Sequence, residues 1–198
     1  MLTDPHAPMA ALAAAWRLPD PARDLPGFLA HLVLAAYLGE GSMAPLRELI
    51  RPAGAVADAS CRVGMLSNPF DARNPAPFVI NACHRGPADR VLDTIDAALR
   101  PVAAEGITPD ALLRIRSHLT VNFLQEADNL LGQAAMTALL EQLHGRAALF
   151  AELPELISRV TSDQVRQAAS GLRPGRRAVL EIRPGAQPAG PRTKETSR

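Results

Sequence analysis

The sequence predicts an α/β (α+β) sandwich in which helices cover one face of a mixed, largely antiparallel sheet. The predicted elements follow the order β-α-α-β-β-α-α-α-α-α-β, which lacks the regular β-α-β alternation of a doubly wound fold. Of the 198 residues, 47% are hydrophobic but only 4% are aromatic. Alanine and leucine dominate, which favours an aliphatic core and helices over an all-β fold. No glycine-rich phosphate loop follows a predicted strand.

The first predicted elements are a strand and a helix. Residues 10–18 are apolar and are followed by prolines, which indicates a buried strand, although the many alanines would also suit a helix. A helix is predicted over 25–38, because Asp24 can cap its first turn and Gly39 can end it. The strand and the helix are both apolar, so we expect both to contribute to the core.

A short helix and a hairpin follow. We predict the helix from Ser42 to Arg51, with Ser42 as its cap and Pro45 tolerated in the first turn. Strands are predicted over 55–66 and 76–85. The nine residues between them are dense in turn formers, so the two strands should pair as an antiparallel hairpin.

The C-terminal half is mainly helical. Helices are predicted over 87–104, about 109–126, about 128–144 and 146–157. Thr161 and Gln164 have the spacing of a capping box and open a last helix that ends at Gly171. Residues 176–183 alternate in polarity and predict the final strand.

The domain limits, the net charge and the lack of long apolar runs exclude several classes of protein. We expect one domain over 10–184, between an N-terminal extension (1–9) and a disordered tail (185–198) rich in Pro, Gly and polar residues. The formal net charge is +1, from 21 basic and 20 acidic residues, which gives no argument for nucleic acid or an anionic membrane as a partner. No apolar run approaches the ~18 residues of a membrane span. The N-terminus also lacks the basic region of a signal peptide, so we expect a cytoplasmic protein.

Cysteines and histidines offer little evidence for a metal or nucleophilic site. Cys61 and Cys83 could face each other across the hairpin, and His84 is adjacent. However, neighbouring residues of a strand point to opposite faces, so Cys83 and His84 cannot easily bind one ion. We interpret both cysteines as buried thiols. His118 and His144 lie on predicted helices without a carboxylate–histidine spacing, which favours surface or packing roles.

Four segments occur in one collinear order over residues 10–184. They are WRLPDP (16–21) with the helix ending LGEGSMAPL (38–46), the hairpin after Gly54, GITPDALLRIRSHLTVNFL (106–124), and RVTSDQVRQAASGLRPGRRAVLEIRPG (159–185). Each segment alone is weak evidence. Together they resemble the non-catalytic, C-terminal-type half domain of an insulinase (pitrilysin) family zinc peptidase.

The resemblance also says which chemistry this half would lack. Catalytic halves of the family carry His-x-x-Glu-His on a helix like that at 28–41, where two histidines bind zinc and the glutamate is the general base. Here the comparable stretch begins at His31, with Leu34 at the position of the base and Ala35 at that of the second ligand. We therefore expect no cofactor and no metal site in this chain, and zinc only in a partner subunit. His31 is interpreted as a helix residue that is hydrogen-bonded or at the sheet edge.

A second family motif is incomplete as well. Active members carry in the non-catalytic half an arginine and, seven residues later, a tyrosine, which flank a glycine and bind the substrate. Alignment on Gly54 places Ile50 and Ala57 at these positions, and neither side chain can donate a hydrogen bond. Arg51 is one residue away and is the single candidate substrate-binding residue, whereas the chain's only tyrosine is Tyr37. We expect no catalytic residue in the chain.

The resemblance implies a function through a partner. The chain would be a pseudoenzyme-like subunit that forms a heterodimer with a zinc-motif-bearing insulinase-family subunit, and the two would enclose a chamber for peptide substrates. A homodimer is the other assembly. The alternative is a degenerate scaffold or protein-interaction domain with no role in proteolysis. A truncated gene product and an enzyme with a new site are further alternatives. A partner is also expected because an isolated half would expose an apolar face.

Overall fold

The computed structural model describes residues 1–41, 44–50, 56–64, 68–71, 76–126 and 128–185. Its elements, in chain order, are β1 (Leu2–Asp4), β2 (Ala10–Arg17), α1 (Leu25–Gly39), α2 (Pro45–Ile50), β3 (Val56–Val63), β4 (Pro77–His84), α3 (Ala88–Glu105), α4 (Pro109–Glu126), α5 (Leu130–His144), α6 (Leu149–Ser158), α7 (Ser162–Gly171) and β5 (Ala178–Pro184). The strands form one sheet in the order β1-β5-β2-β4-β3. The predicted fold class is confirmed.

The sheet contains one strand that the sequence did not predict. β1 pairs with β5 in parallel, with Leu2 opposite Ile182, whereas the β2–β4, β2–β5 and β3–β4 pairs are antiparallel. Residues 1–9, assigned to an extension, thus supply an edge strand. It is only three residues long, too short for alternation in the sequence to reveal it.

Burial alternates along β2 and defines the two faces of the sheet. Leu12, Ala14 and Trp16 are buried in the core that the sheet shares with the helices. The alanines between them are only partly buried and lie on the opposite face, as the two-residue period of a strand requires. The helices therefore pack on one face of the sheet, and the other face is left open.

Helix α1 is the centre of the helical layer. Asp24 Oδ1 accepts a hydrogen bond of 2.9 Å from the backbone N–H of Gly27, which confirms the predicted cap. At the other end, a Cβ on Gly39 would lie 2.8 Å from the backbone nitrogen of Cys61. Glycine at this position lets the end of α1 lie directly against β3.

Most other predicted boundaries agree with the structure to within a few residues. The capping box at Thr161 and Gln164 is present, with both of its hydrogen bonds formed. Helix α2 begins at Pro45 rather than at Ser42, and both Ser42 and Arg51 lie outside the described residues. The predicted disorder of the tail likewise falls on residues 186–198, which are not described. Among the described residues, no helix is both long and apolar enough to cross a membrane.

Candidate functional site on the open sheet face

The sheet face opposite the helices, called here the open sheet face, carries side chains from all five strands. By strand register its members are Leu2, Ala11, Ala13, Ala15, Asp58, Ser60, Arg62, Val79, Asn81, Cys83, Ala178, Leu180 and Ile182. Leu2 and Leu180 are 56% and 49% exposed, large fractions for leucines at the surface of a sheet. This face is thus both accessible and partly apolar.

A groove of about 300 Å³ runs across the open sheet face. Ala11 and Ala13 form its floor, and their small side chains leave the space. Leu180 and Ile182 from β5 form an apolar wall on one side, while polar side chains from β3 and β4 form the other wall. The groove therefore offers an apolar surface beside hydrogen-bonding groups.

The polar wall contains a carboxylate, a hydroxyl, an amide and a thiol. Asp58 lies opposite Cys83 in the β3–β4 register, and Ser60 lies opposite Asn81. One oxygen of Asp58 accepts a hydrogen bond of 2.9 Å from the backbone N–H of Ala59, which fixes the orientation of that carboxylate. These groups can bind a polar ligand. Among the described residues, no three His, Cys, Asp or Glu side chains lie together as metal ligands would.

The helix that carries the zinc ligands in a catalytic half has one of the three motif side chains here, His31. The Nδ1 atom of His31 is 2.7 Å from the carbonyl oxygen of Gly27, so the prediction of a hydrogen-bonded helix residue is confirmed. Burial lowers the pKa of His31, against the opposing effects of the Gly27 carbonyl and the Asp24 carboxylate. Leu34 and Ala35 are buried side chains with no lone pair to offer a metal. The residues at these positions do not fit a zinc ion.

The two positions aligned with the arginine and tyrosine of active family members lie at the end of α2 and near the start of β3. Ile50 ends α2, and Ala57 precedes Asp58 in β3. The β3–β4 register shifts between Val56 and Asp58, so Ala57 lies at a β-bulge, a feature that often re-aims a strand beside a site. Arg51 falls outside the described residues, and its proposed role in substrate binding stays a prediction.

The two cysteines do not face each other, although the sequence left that arrangement open. Cys61 lies opposite Ile80 and Cys83 lies opposite Asp58, because the hairpin is centred earlier in the chain than a symmetric placement of the cysteines would need. They also lie on opposite faces of the sheet. Both thiols are free.

The surroundings of the two thiols differ. Burial, with a smaller contribution from the charge of Glu40, raises the pKa of the Cys61 thiol well above its ordinary value. Both cysteines nevertheless have intermediate exposure, so the prediction of two buried thiols is wrong, although Cys61 packs against the core. Cys83 is only partly buried and lines the groove. Sequence reasoning missed its place in the site because the alternation of β4 does not say which face is open.

Three further histidines serve local structure. His118 Nε2 lies 2.7 Å from the carboxylate of Glu40 at the surface, and His144 Nε2 lies 3.1 Å from the carbonyl oxygen of Phe70. The predicted surface and packing roles are confirmed. His84 is 1% exposed, and its Nδ1 is 2.8 Å from the carbonyl oxygen of Gly86. None of these side chains lines the groove of the open sheet face.

Comparison with protein-family models found no match, and comparison with curated proteins found none either. Solved structures, in contrast, match over most of the chain. The inactive peptidase domain of a candidate zinc protease from Bordetella parapertussis has a TM-score of 0.79 at 20% identity, covering 91% of this chain and 93% of that one. A candidate zinc protease from Bordetella pertussis Tohama I has a TM-score of 0.75 at 19% identity, covering 87% and 93%.

A longer neighbour matches with only part of its length. A candidate M16-like peptidase from Alicyclobacillus acidocaldarius has a TM-score of 0.73 at 16% identity, and the match covers 93% of this chain but 43% of that one. At such identities the likeness shows the fold alone. The chain has the fold of an M16-type peptidase half domain, and this includes domains described as inactive.

Proposed function

We propose that this chain is a non-catalytic subunit of a two-half peptidase and that its open sheet face forms one wall of a peptide chamber. A second half, which bears the His-x-x-Glu-His motif, supplies the zinc and the chemistry. The observation that carries the proposal is the groove on the open sheet face, which has an apolar and a polar wall. In the same half-domain fold, Leu34 and Ala35 occupy the positions of the general base and the second zinc ligand, and neither can bind a metal.

The groove has the chemistry that an extended peptide needs. Peptide backbones present regularly spaced N–H and C=O groups, which Asp58, Ser60 and Asn81 can satisfy along one wall. Apolar peptide side chains can pack on Leu180 and Ile182 along the other. Such a mixed surface can bind extended, unfolded peptides of many different sequences. This suits a subunit whose role is to position peptides.

Exposure of the same face supports a partner. Leu2 and Leu180, each about half exposed or more, lie on one face with Ile182 and the floor alanines, and a contiguous apolar patch of this kind marks an interaction surface. The longer solved neighbours agree in size, since this chain matches less than half of each of several of them. The remainder of those chains leaves room for a second half. A homodimer is the second assembly that this surface allows.

Co-expression tests the proposal. The chain would be produced with a protein from the same genome that carries His-x-x-Glu-His, and the mixture analysed by size-exclusion chromatography and by hydrolysis of quenched fluorescent peptides. We expect a 1:1 complex with higher activity than the zinc-bearing protein alone. Leu180→Asp should prevent the complex, whereas Leu113→Asp, a matched change at a 63% exposed leucine of α4, should not. Absence of association, or activity unchanged by association, would refute the peptidase-subunit role.

A scaffold or protein-interaction domain is the second candidate function. It is favoured by Ile50 and Ala57, which replace the two hydrogen-bonding residues of active family members. The same experiment distinguishes the two functions. A scaffold would form the complex through Leu180 while leaving peptide hydrolysis unchanged.

A further inference from the structure

The helical layer contains a partly open, mainly apolar cavity of about 100 Å³, away from the open sheet face. It lies between α1, α4, α6 and the segment 68–71. Its apolar lining comes from Leu32, Phe70, Leu119, Phe123, Leu153 and Ile157. Two amides also line it: Asn68, and the exposed Asn122, whose Nδ2 lies 3.1 Å from His118 Nε2. An apolar cavity of ~150 Å³ can bind a molecule such as benzene. The present cavity, at about 100 Å³, is smaller and has room for a short hydrocarbon segment.

A groove of about 350 Å³ adjoins the cavity along α5. Asn68 and Met136 line both spaces, so these two side chains form the wall between them. The groove continues over Ala135 and Leu139 of α5. A ligand longer than the cavity could therefore extend into the groove past Asn68 and Met136.

Helix α5 is anchored in the core by few buried side chains. Met136 and Leu140 are its buried residues, while Leu130 and Leu131 in its first turn are 85% and 80% exposed. A helix anchored by so few buried side chains can shift at low cost in free energy. Met136, one of the two wall residues, belongs to this helix. A shift of α5 would therefore move this side chain and open a path between the groove and the cavity.

The polar chemistry of the wall points to the kind of ligand. Asn68 Oδ1 accepts a hydrogen bond of 2.9 Å from the backbone N–H of Phe70, while Nδ2 donates to the sulfur of Met136 over 2.8 Å. A thioether is a weak acceptor, so the Nδ2 donor would gain from an oxygen in its place. Among the described residues, no charged side chain lines the cavity or the groove. An ionised ligand would thus be desolvated without a partner.

We propose that the cavity and the adjoining groove form a binding site for a neutral, mainly aliphatic small molecule with one acceptor oxygen. The hydrocarbon part occupies the cavity, and the oxygen accepts the Nδ2–H of Asn68 in place of Met136. The site lies in the helical layer and is independent of the peptide chamber proposed above. Its test therefore stands whether or not a peptidase partner exists.

Titration with 2-heptanone, with heptanoate as the charged control, tests this site. Methyl NMR should show saturable shifts confined to Leu119, Met136, Leu153 and Ile157 with the ketone, and none with heptanoate at the same concentration. Asn68→Asp keeps the acceptor for Phe70 N–H but removes the donor. It should weaken ketone binding about tenfold, the equivalent of one hydrogen bond.

A second pair of variants tests the cavity itself. Leu119→Phe fills part of it and should abolish the shifts, whereas Leu92→Phe, the same change in α3 outside the lining, should leave them intact. Should Leu119→Phe fold poorly, the Asn68→Asp variant and the heptanoate control decide. Linear, non-saturable shifts would mean unspecific partitioning and would overturn the proposal. So would equal binding of ketone and carboxylate, or ketone binding unchanged in Asn68→Asp.

Discussion

The hydroxyl of Ser162 is hydrogen-bonded to both backbone groups of Ile107. The Ile107 N–H donates to Ser162 Oγ over 3.0 Å, and the same hydroxyl donates to the Ile107 carbonyl oxygen over 2.7 Å. Ile107 lies in the link between α3 and α4, and Ser162 is the first residue of α7. The Ser162 side chain therefore satisfies both backbone hydrogen-bonding groups of Ile107, a residue that belongs to no strand or helix. These two bonds fix the position of the start of α4 relative to α7.

Removal of this hydroxyl should destabilise the protein. Ser162→Ala leaves the N–H and C=O of the buried Ile107 without their partner, which costs about 1–3 kcal/mol in the free energy of unfolding. Urea denaturation measures it. Ser158→Ala is the matched control, because the exposed Ser158 hydroxyl donates only to a carbonyl of its own helix, and its cost should stay below about 0.5 kcal/mol. Equal costs would show that the link does not depend on Ser162.

Gly106, next to Ile107, should tolerate no side chain. Its φ is +80°, and a Cβ would lie 2.4 Å from Ser162 Oγ. Gly106→Ala combines an unfavourable backbone with a clash and should cost more than about 2 kcal/mol. Gly145→Ala is the matched change, since φ is +64° there with no atom within 4 Å, and only the left-handed backbone cost of about 1 kcal/mol applies. Thermal denaturation of both variants should rank them in this order, and the reverse order would contradict it.

The ion pair between Arg177 and Asp96 should contribute more than surface pairs do. The two side chains are 12% and 22% exposed and lie 2.6 Å apart, so the pair joins the start of β5 to α3 in a partly dry setting. Asp96→Asn should cost about 1.5–3 kcal/mol, as expected for a hydrogen bond to a charged group. Glu155→Gln, which alters the exposed pair with Arg159, should cost less than about 0.5 kcal/mol. In 1 M NaCl the cost of Asp96→Asn should persist; a cost that disappears would mean the pair is screened like a surface pair.

His31 should make the protein less stable in weak acid. Burial lowers its pKa in the folded state, so the unfolded chain binds the proton more readily. Stability is complete above the ordinary pKa of about 6.5 and is lost as the pH falls from there toward the lower folded-state pKa. His31→Gln removes the titrating group, and its free energy of unfolding should change less between pH 7.5 and pH 5 than that of the unmodified protein. Parallel pH profiles from urea denaturation would exclude His31 as the cause.

Local signals in the sequence predicted most of the fold. Asp24 before α1 and the pair Thr161 and Gln164 before α7 are short-range capping signals, and the structure contains both caps. The strand β1 was missed because its stability comes from pairing with β5, distant in sequence, rather than from its own pattern. Helix α2 was predicted three residues too early at its N-terminus, since a potential cap at Ser42 does not by itself start a helix.

The candidate site was much less predictable. In β2, both faces are apolar in the sequence, so Ala11 and Ala13 could not be assigned to a groove until burial showed which face the helices cover. The partnership of Asp58 with Cys83 depends on a register shift in β3, which no spacing in the chain encodes. The site thus depends on long-range pairing, whereas the helix ends depend on neighbours in sequence.

The two thiols should report on the open sheet face. Cys83 lines the groove and is partly exposed, whereas burial raises the pKa of the Cys61 thiol and removes its reactive thiolate at neutral pH. Iodoacetamide at pH 7.5, followed by peptide mass spectrometry, should therefore modify Cys83 and leave Cys61 unmodified. Binding of a partner over the open sheet face should slow the modification of Cys83 at least several-fold. The Leu180→Asp variant, which should not bind, supplies the unprotected control, and a complex that leaves Cys83 equally reactive would place the interface elsewhere.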